Sequence, residues 1–535
     1  MLIEKKGCIF AAQKWEIMAS TIKYPIGIQE FEKLRKDGYL YVDKTALVKK
    51  MVQEGCYYFL SRPRRFGKSL LLSTLHAYFE GKRELFKGLA IDTDEVSWEA
   101  HPVMHLDLNS QKYEEKERLE YVLNKFLSEE EEKYGVTSTG GDNYGPRFES
   151  VIKAACEKTG KRVVILVDEY DKPMLQAIGK PELQDEFRNT LKAFYGALKT
   201  MDGCIQFAFL TGVTKFGKVS VFSDLNHLND ISMLDDYYYI CGITEEEIIT
   251  YFKDGVSALA KDNGLTEEEC LALLKERYDG YHFTARTPGM YNPFSLLKTV
   301  MFRQFGSYWF ETGTPTYLVK LLQLHDYNLE AMAKTQTSAA VLDSIDASST
   351  NPIPVIYQSG YLTIKGYNPR FKTYLLGFPN KEVEEGFMEY LVPFYTNVDA
   401  IESPFQIQCF VDDVENGRTE QFIKRLKSFF ADTPYELVKD LENHYQNVLF
   451  IISRLMGFYT KAEYHTSEGR IDMVIQTPLY CYILEFKLNG TAEEAMAQIK
   501  DTHYALPFEM NGQQIIRIGM NFSNDTRNID GVVIE

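Results

Sequence analysis

The chain has 535 residues, too many for one hydrophobic core, so two to four domains are expected. Its formal charge of −17 excludes a globally basic nucleic-acid binder, and any such partner would have to be met through local basic patches or metal ions. No apolar run approaches the ~18 residues that span a bilayer, and eight scattered cysteines without a CxxC pair argue against a disulfide framework or a zinc site.

A reducing cytoplasm follows as the expected compartment, with no membrane partner. Two early lysines precede no apolar segment with a cleavage site, so no signal peptide is expected. Met18 opens a more natural start, which leaves residues 1–23 as an N-terminal extension.

Residues 24 to about 55 read as a short approach segment and an amphipathic helix. Tyr57, Tyr58, Phe59 and Leu60 then form an aromatic-aliphatic run of buried-strand type. A polar loop ends in Gly67-Lys68-Ser69, and Leu71, Leu72, Leu75 and Phe79 recur at helical spacing. Strand, Gly-Lys-Ser loop and helix is an arrangement that binds nucleotide phosphates, because N–H groups and the dipole at a helix start favour negative charge. Lys68 would reach the β and γ phosphates, and the Ser69 hydroxyl would ligate Mg²⁺. The other Gly-Lys pairs, beginning at Gly81, Gly160, Gly179 and Gly217, lack the following Ser or Thr. Arg62 stands where the motif GxxxxGK[ST] has its first glycine, and with Arg64 and Arg65 it brings three arginines near the phosphates in sequence. Arg65 and Gly67 join the expected cofactor contacts. The alternative for this segment is a basic surface loop before an ordinary helix.

Val103 to Leu108 reads as another strand, and the acidic helix after it as a solvated face. Residues 135–146 read as a loop. Val163 to Val167 is a continuous apolar run of the kind buried on both faces of a parallel sheet, and it ends in Asp168-Glu169. Ligands of open α/β sheets sit at the carboxyl ends of the strands. In P-loop enzymes the acid ending such a strand binds the Mg²⁺ shell and a following Glu activates the attacking water, roles that would fall to Asp168 and Glu169; the alternative is a strand ending in a polar turn. Ile205 to Thr211 is a further strand, whose terminal Thr211 is either a γ-phosphate sensor or a plain strand cap. Asn292-Pro293 has the form of an N-cap with proline at the first helical position, and a domain boundary is placed near it.

From 291 to 395, short helices precede a hairpin, Tyr361–Tyr367 with Lys372–Phe378, a pattern that suggests a winged-helix module. Lys365, Arg370, Lys372 and Lys381 stand there without an acid between 361 and 381, as a phosphate contact or simply a solvated hairpin.

In residues 396–535, an amphipathic helix from Leu441 to Tyr459 leads to two short strands, Ile471–Ile475 and Tyr480–Leu488. Alternation puts Glu485 and Lys487 on one face of the second strand, and Asp472 starts the first. Two carboxylates with a main-chain carbonyl make an oxygen cage for Mg²⁺ or Mn²⁺, beside a lysine that positions or stabilises a nucleophile. Gln498 and Tyr504 follow as residues able to complete that site. The bland alternative is a cross-strand ion pair.

RPRRFGKS, ILVDEYDKP, FLTGVTKF and the GRIDMVI…YILEFKL segment together resemble a bacterial two-part family with an AAA-ATPase-like domain followed by a PD-(D/E)XK nuclease-like domain. The resemblance runs from about Tyr24 to the C-terminus. It implies an α/β multidomain chain: a P-loop NTPase parallel sheet (24–290), a helical or winged-helix middle domain (291–395) and a restriction-endonuclease-like α/β domain (396–535). It implies Lys68 and Ser69 as phosphate and Mg²⁺ contacts, Asp168 and Glu169 as the Walker B pair, and Asp472, Glu485 and Lys487 as the nuclease triad. It further implies a helix carboxylate at Glu442 and a helix amide at Gln498. Ile471 replaces the proline of the motif name. ATP and Mg²⁺ (Mn²⁺ at the nuclease site) are the implied cofactors, and nucleic acid, DNA ahead of RNA, the implied partner, with a homo-oligomer allowed. The leading expectation is an ATPase gating phosphodiester cleavage, and the competing one is a nucleotide-dependent switch that binds nucleic acid or a partner without cutting.

Overall fold

The computed structural model describes residues 22–137, 143–215, 228–310, 318–319, 321–322, 327–342, 351–396, 398–399, 401–431, 441–457, 461–464 and 472–535. Met18, Gly469, Arg470, Ile471 and the middle of the 135–146 loop lie outside the described residues. The chain divides into two compact units, Met1–Lys275 with Arg286–Gly306, and Glu276–Ala285 with Ser307–Glu535.

The first unit is built on five parallel strands: β1 (Tyr57–Ser61), β2 (Val103–Asp107), β3 (Val163–Asp168), β4 (Ile205–Gly212) and β5 (Asn229–Asp230), in the order β2-β3-β4-β1-β5. β3 is buried along its whole length, as its unbroken apolar run requires, and Val163 to Val167 are each no more than 1 % exposed. Each such side chain contributes about 1.5–3 kcal/mol by leaving water. Helix α1 (Thr45–Glu54) precedes β1, and α2 (Lys68–Phe79) follows it. Leu71, Leu72, Leu75 and Phe79 of α2 are all buried, so the predicted helical face anchors the helix and fixes where its first turn stands. Helices α3 (Lys116–Tyr134), α4 (Tyr144–Thr159) and α5 (Pro181–Thr200) pack together, with Phe148 and Phe194 stacked 4.5 Å apart. The acidic run of α3 is not wholly a solvated face: Glu131 is 2 % exposed and takes a two-pronged hydrogen bond from the buried Arg147 of α4, at 2.8 and 2.9 Å. Helix α6 (Glu245–Tyr251) starts at a Thr244 capping box, and α7 (Pro293–Phe302) at Asn292, whose side chain accepts from the N–H groups of Phe294 and Ser295.

The second unit holds two sheets. The smaller is antiparallel, β6 (Gln336–Ser338), β7 (Thr363–Asn368) and β8 (Thr373–Gly377) in the order β6-β8-β7, and it includes the predicted hairpin. Helix α8 (Leu329–Ala333) precedes it, with α9 (Ile353–Gln358) between β6 and β7 and α10 (Lys381–Tyr395) after it. Two of the four cations of the predicted basic patch are engaged inside this unit. Lys365 donates to the Pro379 carbonyl at 2.9 Å, and Lys381 pairs with Glu276 at 3.4 Å.

The larger sheet is mixed: β9 (Lys461–Tyr464), β10 (Met473–Gln476), β11 (Tyr480–Leu488), β12 (Gln514–Ser523) and β13 (Asn528–Ile534), in the order β13-β12-β11-β10-β9. Only β11 and β12 are parallel, and helix α11 (Ala492–Asp501) joins them. Cys481, Ile483, Met496 and Ile499 make a core between that helix and the sheet. A Cβ at Gly519 of β12 would meet the Ala492 carbonyl at 2.5 Å, so glycine lets α11 lie close on the strands. No helix among the described residues is long and apolar enough to cross a membrane, and the seven cysteines among them are free.

Candidate nucleotide and nuclease sites

The loop after β1 turns into α2 at Gly67, whose φ of 95° lies in the left-handed region open to glycine. Lys68 is 5 % exposed and folds back over the loop, donating to the carbonyls of Arg62 at 3.0 Å and Pro63 at 3.1 Å. The Ser69 hydroxyl donates to Asp168 Oδ2 at 2.6 Å, so two residues 99 positions apart meet where α2 begins and β3 ends. Burial pushes the Asp168 carboxyl up, and the Ser69 hydroxyl and the Lys68 charge draw it back down. Glu169 takes φ 49°, a conformation that costs a residue with a side chain about 1–3 kcal/mol.

Arg62, at the place of the motif's first glycine, is 1 % exposed, and its guanidinium donates to the carbonyls of Ser61, Ser232 and Tyr237. It ties β1 to the 232–237 segment, which is why arginine stands where the general motif has glycine. Arg65, at φ 69°, is exposed, with its guanidinium 4.6 Å from the centroid of the Phe294 ring. Thr211 is fully buried, and its hydroxyl donates to the Leu60 carbonyl at 2.9 Å. That bond spends the only donor of the side chain on the neighbouring strand, so the geometry favours the strand cap over the phosphate sensor.

Asp171 was not singled out by the sequence, yet it joins the ends of β3 and β4. Its buried carboxylate accepts from the N–H groups of Val213 and Thr214 and from the Thr214 hydroxyl. Burial nevertheless holds it up at about 6. Gly212 makes room for it, since a Cβ there would meet Asp171 Oδ1 at 2.3 Å. An apolar cavity of about 100 Å³ also opens beside the loop, lined by Pro25, Tyr41, Phe66, Thr74, Cys241 and Ile243 among others. One wall is fastened by Lys44, which holds Glu247 in a half-buried pair at 2.5 and 2.6 Å. Partners 203 residues apart leave no local signal in a sequence.

In the second unit, a Thr477 turn closes the hairpin of β10 and β11, with the Tyr480 N–H donating to the Thr477 hydroxyl. Met473 pairs with Leu484, so one step further Asp472 stands opposite Glu485. Asp472 Oδ2 accepts from the Phe486 N–H at 2.9 Å, and burial holds its carboxyl up at about 6. Glu485 is 2 % exposed and held up at about 7, first by burial and then by the charge of Asp472. Its Oε2 has no hydrogen-bond partner among the described residues. Lys487 Nζ lies 3.8 Å from Glu485 Oε1 and donates to the Gln498 side-chain oxygen, while the Gln498 amide reaches the Tyr504 hydroxyl at 3.4 Å. Asp472, Glu485, Lys487, Gln498 and Tyr504 are thus one contiguous cluster. Glu442, in the helix Leu441–Met456, is exposed and accepts from Gln446 at 3.5 Å.

A divalent cation fits what these residues offer. A buried carboxylate oxygen with no donor is costly unless a positive partner comes to it, and an all-oxygen donor set suits Mg²⁺ or Mn²⁺. Among the described residues no group of three or more His, Cys, Asp or Glu could hold a metal ion, so the shell would be completed by main-chain carbonyl and water.

Residues 25–222 match the AAA-ATPase-like family, described as a predicted AAA-ATPase, and residues 440–531 match the PD-(D/E)XK nuclease superfamily. An uncharacterized protein in the vnfD 5′ region of Azotobacter chroococcum mcd 1 is 36 % identical over 531 residues, a match that takes in 96 % of this chain and 99 % of that one. The two parts expected from four short motifs are therefore present in order in one polypeptide, and the chain belongs to the family that joins a predicted AAA-ATPase domain to a PD-(D/E)XK nuclease superfamily domain, a nucleotide-binding protein with a nuclease-like part.

Proposed function

We propose that the chain binds and hydrolyses ATP and that its nucleotide state gates metal-dependent cleavage of phosphodiester bonds in DNA or RNA. The observation that carries the cleavage reading is Glu485: buried, with one oxygen lacking a partner among the described residues, opposite Asp472 and 3.8 Å from Lys487. Asp472 and Glu485 would hold Mg²⁺ or Mn²⁺, which when bound acidifies a water and stabilises charge on the phosphate. The Lys487 ammonium stands beside that position, oriented by Gln498, where it can steady an attacking oxygen. Gln498 is in turn held by Tyr504.

On the nucleotide side, Gly67, Lys68, Ser69 and Asp168 are the residues that would hold ATP and its Mg²⁺. The Lys68 ammonium rests on two loop carbonyls that phosphate oxygens would replace. Glu169 would orient the attacking water. The apolar cavity beside Phe66 and Tyr41 suits a flat, apolar-faced base. The division into 24–290, 291–395 and 396–535, a cytoplasmic setting, a preference for DNA and a homo-oligomeric state belong to the same proposal.

A divalent-metal cleavage assay on single- and double-stranded DNA and RNA, with and without ATP, tests it. Asp472→Ala and Lys487→Ala should each abolish cleavage while the protein stays folded. If both cut as well as wild type, the nuclease reading is wrong. One observation favours a switch that binds without cutting: residues 440–535 carry thirteen acids against seven bases, a poor surface for a polyanion. ATP binding with no cleavage of any of the four substrates would select that second reading.

A further inference from the structure

The hairpin of β7 and β8 carries a surface that neither the fold nor the proposed nuclease chemistry needs. From residue 361 to Lys381, the first residue of α10, the chain has four cations and no acid, against a formal charge of −17 overall. Lys365 and Lys381 are spent on Pro379 and Glu276. Arg370 and Lys372 are exposed and make no ion pair among the described residues. Around them stand aromatic rings that the unit does not bury. Phe371 is 65 % exposed and carries the Arg370 guanidinium 5.2 Å from its ring centroid, and Tyr367 is 38 % exposed with its ring 4.8 Å from that of Tyr374. The tip is built firmly: Asn368 Oδ1 accepts from the N–H groups of Arg370 and Phe371, and Lys372 turns the chain at φ 54°. A folded surface loop that shows two unpaired cations and open ring faces is suited to an anionic polymer with unstacked bases. Rings offer stacking that duplex DNA, whose bases are already stacked, cannot use.

We propose that the β7–β8 tip docks single-stranded nucleic acid, with Phe371 and Tyr367 stacking on bases and Arg370 and Lys372 contacting phosphates. The inference rests on the reading that the chain acts on nucleic acid, but it concerns binding and stands or falls separately from cleavage. The test is fluorescence anisotropy of the full chain in a chelating buffer, so that no cutting occurs. Labelled poly-dT and poly-rU strands of about 20 nucleotides, and a duplex of equal length, serve as probes. Phe371→Ala should weaken single-strand binding about 5- to 150-fold, the worth of one stacked base, and change duplex binding little. Arg370→Ala with Lys372→Ala should lower the slope of log affinity against log salt by about 1.4, two single-strand phosphate contacts. Met510→Ala, another exposed apolar side chain at 94 % exposure, is the control and should bind as wild type. The proposal is overturned if wild type binds neither strand, if the hairpin variants bind both strands as wild type does, or if the Phe371 loss is equal for the duplex. The dT and rU arms tell DNA from RNA. Loss of cleavage in Asp472→Ala with hairpin binding intact keeps this surface separate from the nuclease site.

Discussion

Replacing Glu485 by glutamine should make the metal-free protein more stable at alkaline pH while abolishing its cleavage. Burial, reinforced by the charge of Asp472, holds this carboxyl up at about 7 against an ordinary 4.5. The native state therefore binds the proton more tightly than the unfolded chain, and stability falls as pH rises from about 4.5 to about 7. Above that window the folded protein carries an ionised, desolvated acid at a cost of at most about 3 kcal/mol. That figure already includes the Lys487 ammonium 3.8 Å away, which draws the carboxyl back down, and the glutamine amide still has to be buried in its place. Glutamine keeps the shape and removes the charge, so a gain of about 1–2 kcal/mol is expected for the variant. The assay is urea unfolding of the full chain in chelating buffer, at about pH 8 and about pH 5, following the transition that the substitution moves. The gain should appear at the higher pH and vanish at the lower, where wild type is protonated too. Added Mg²⁺ or Mn²⁺ should stabilise wild type at the higher pH and leave the variant unmoved. A variant no more stable than wild type at alkaline pH, or one that still responds to metal, would show that this carboxylate is not held in readiness for a cation.

Other expectations follow from the same geometry. At limiting Mg²⁺ or Mn²⁺, cleavage by wild type should decline as pH drops below about 7, because protons on Glu485 and then on Asp472, held up at about 6 in the metal-free protein, compete with the cation, and excess metal should restore it; a metal requirement that does not change between about pH 8 and about pH 5 contradicts this. Arg62→Ala should destabilise the first unit by about 2–4 kcal/mol, since it strands buried carbonyls of Ser61, Ser232 and Tyr237. Calorimetry of ATP binding on the folded fraction should show little change for it, whereas Lys68→Ala should lose at least about tenfold in affinity. Thr211→Val should cost about 1 kcal/mol in stability and leave ATP turnover near wild type, and a collapse of turnover without loss of stability would restore the sensor role. Gly212→Ala forces a methyl group against Asp171 and should destabilise by about 1–3 kcal/mol, read from thermal unfolding.

Features set by local pattern were legible before any coordinates. The unbroken Val163–Val167 run read as a strand covered on both faces, and the recurrence of Leu71, Leu72, Leu75 and Phe79 pointed to the helix that follows the loop. The placing of Glu485 and Lys487 on one face likewise followed from strand alternation, and in the structure Lys487 Nζ lies 3.8 Å from Glu485 Oε1, with Asp472 opposite Glu485 in the register. What was not legible depends on partners far away in sequence. The Arg62 guanidinium answers carbonyls about 170 residues on, and Lys44 answers Glu247. The charge count of α3 suggested a solvated face, and only the approach of Arg147 explains why Glu131 is inside. For Thr211, type alone allowed two roles, and only the Leu60 carbonyl within reach separates them.

Cleavage of labelled DNA and RNA measured in one experiment on wild type, Lys68→Ala and Asp472→Ala, each with and without ATP in Mg²⁺ or Mn²⁺, reaches the centre of the account. Wild type should cut in a way that depends on ATP, Lys68→Ala should lose the ATP response, and Asp472→Ala should not cut under any condition. Undiminished cutting by Asp472→Ala, or an ATP response that survives in Lys68→Ala, contradicts it.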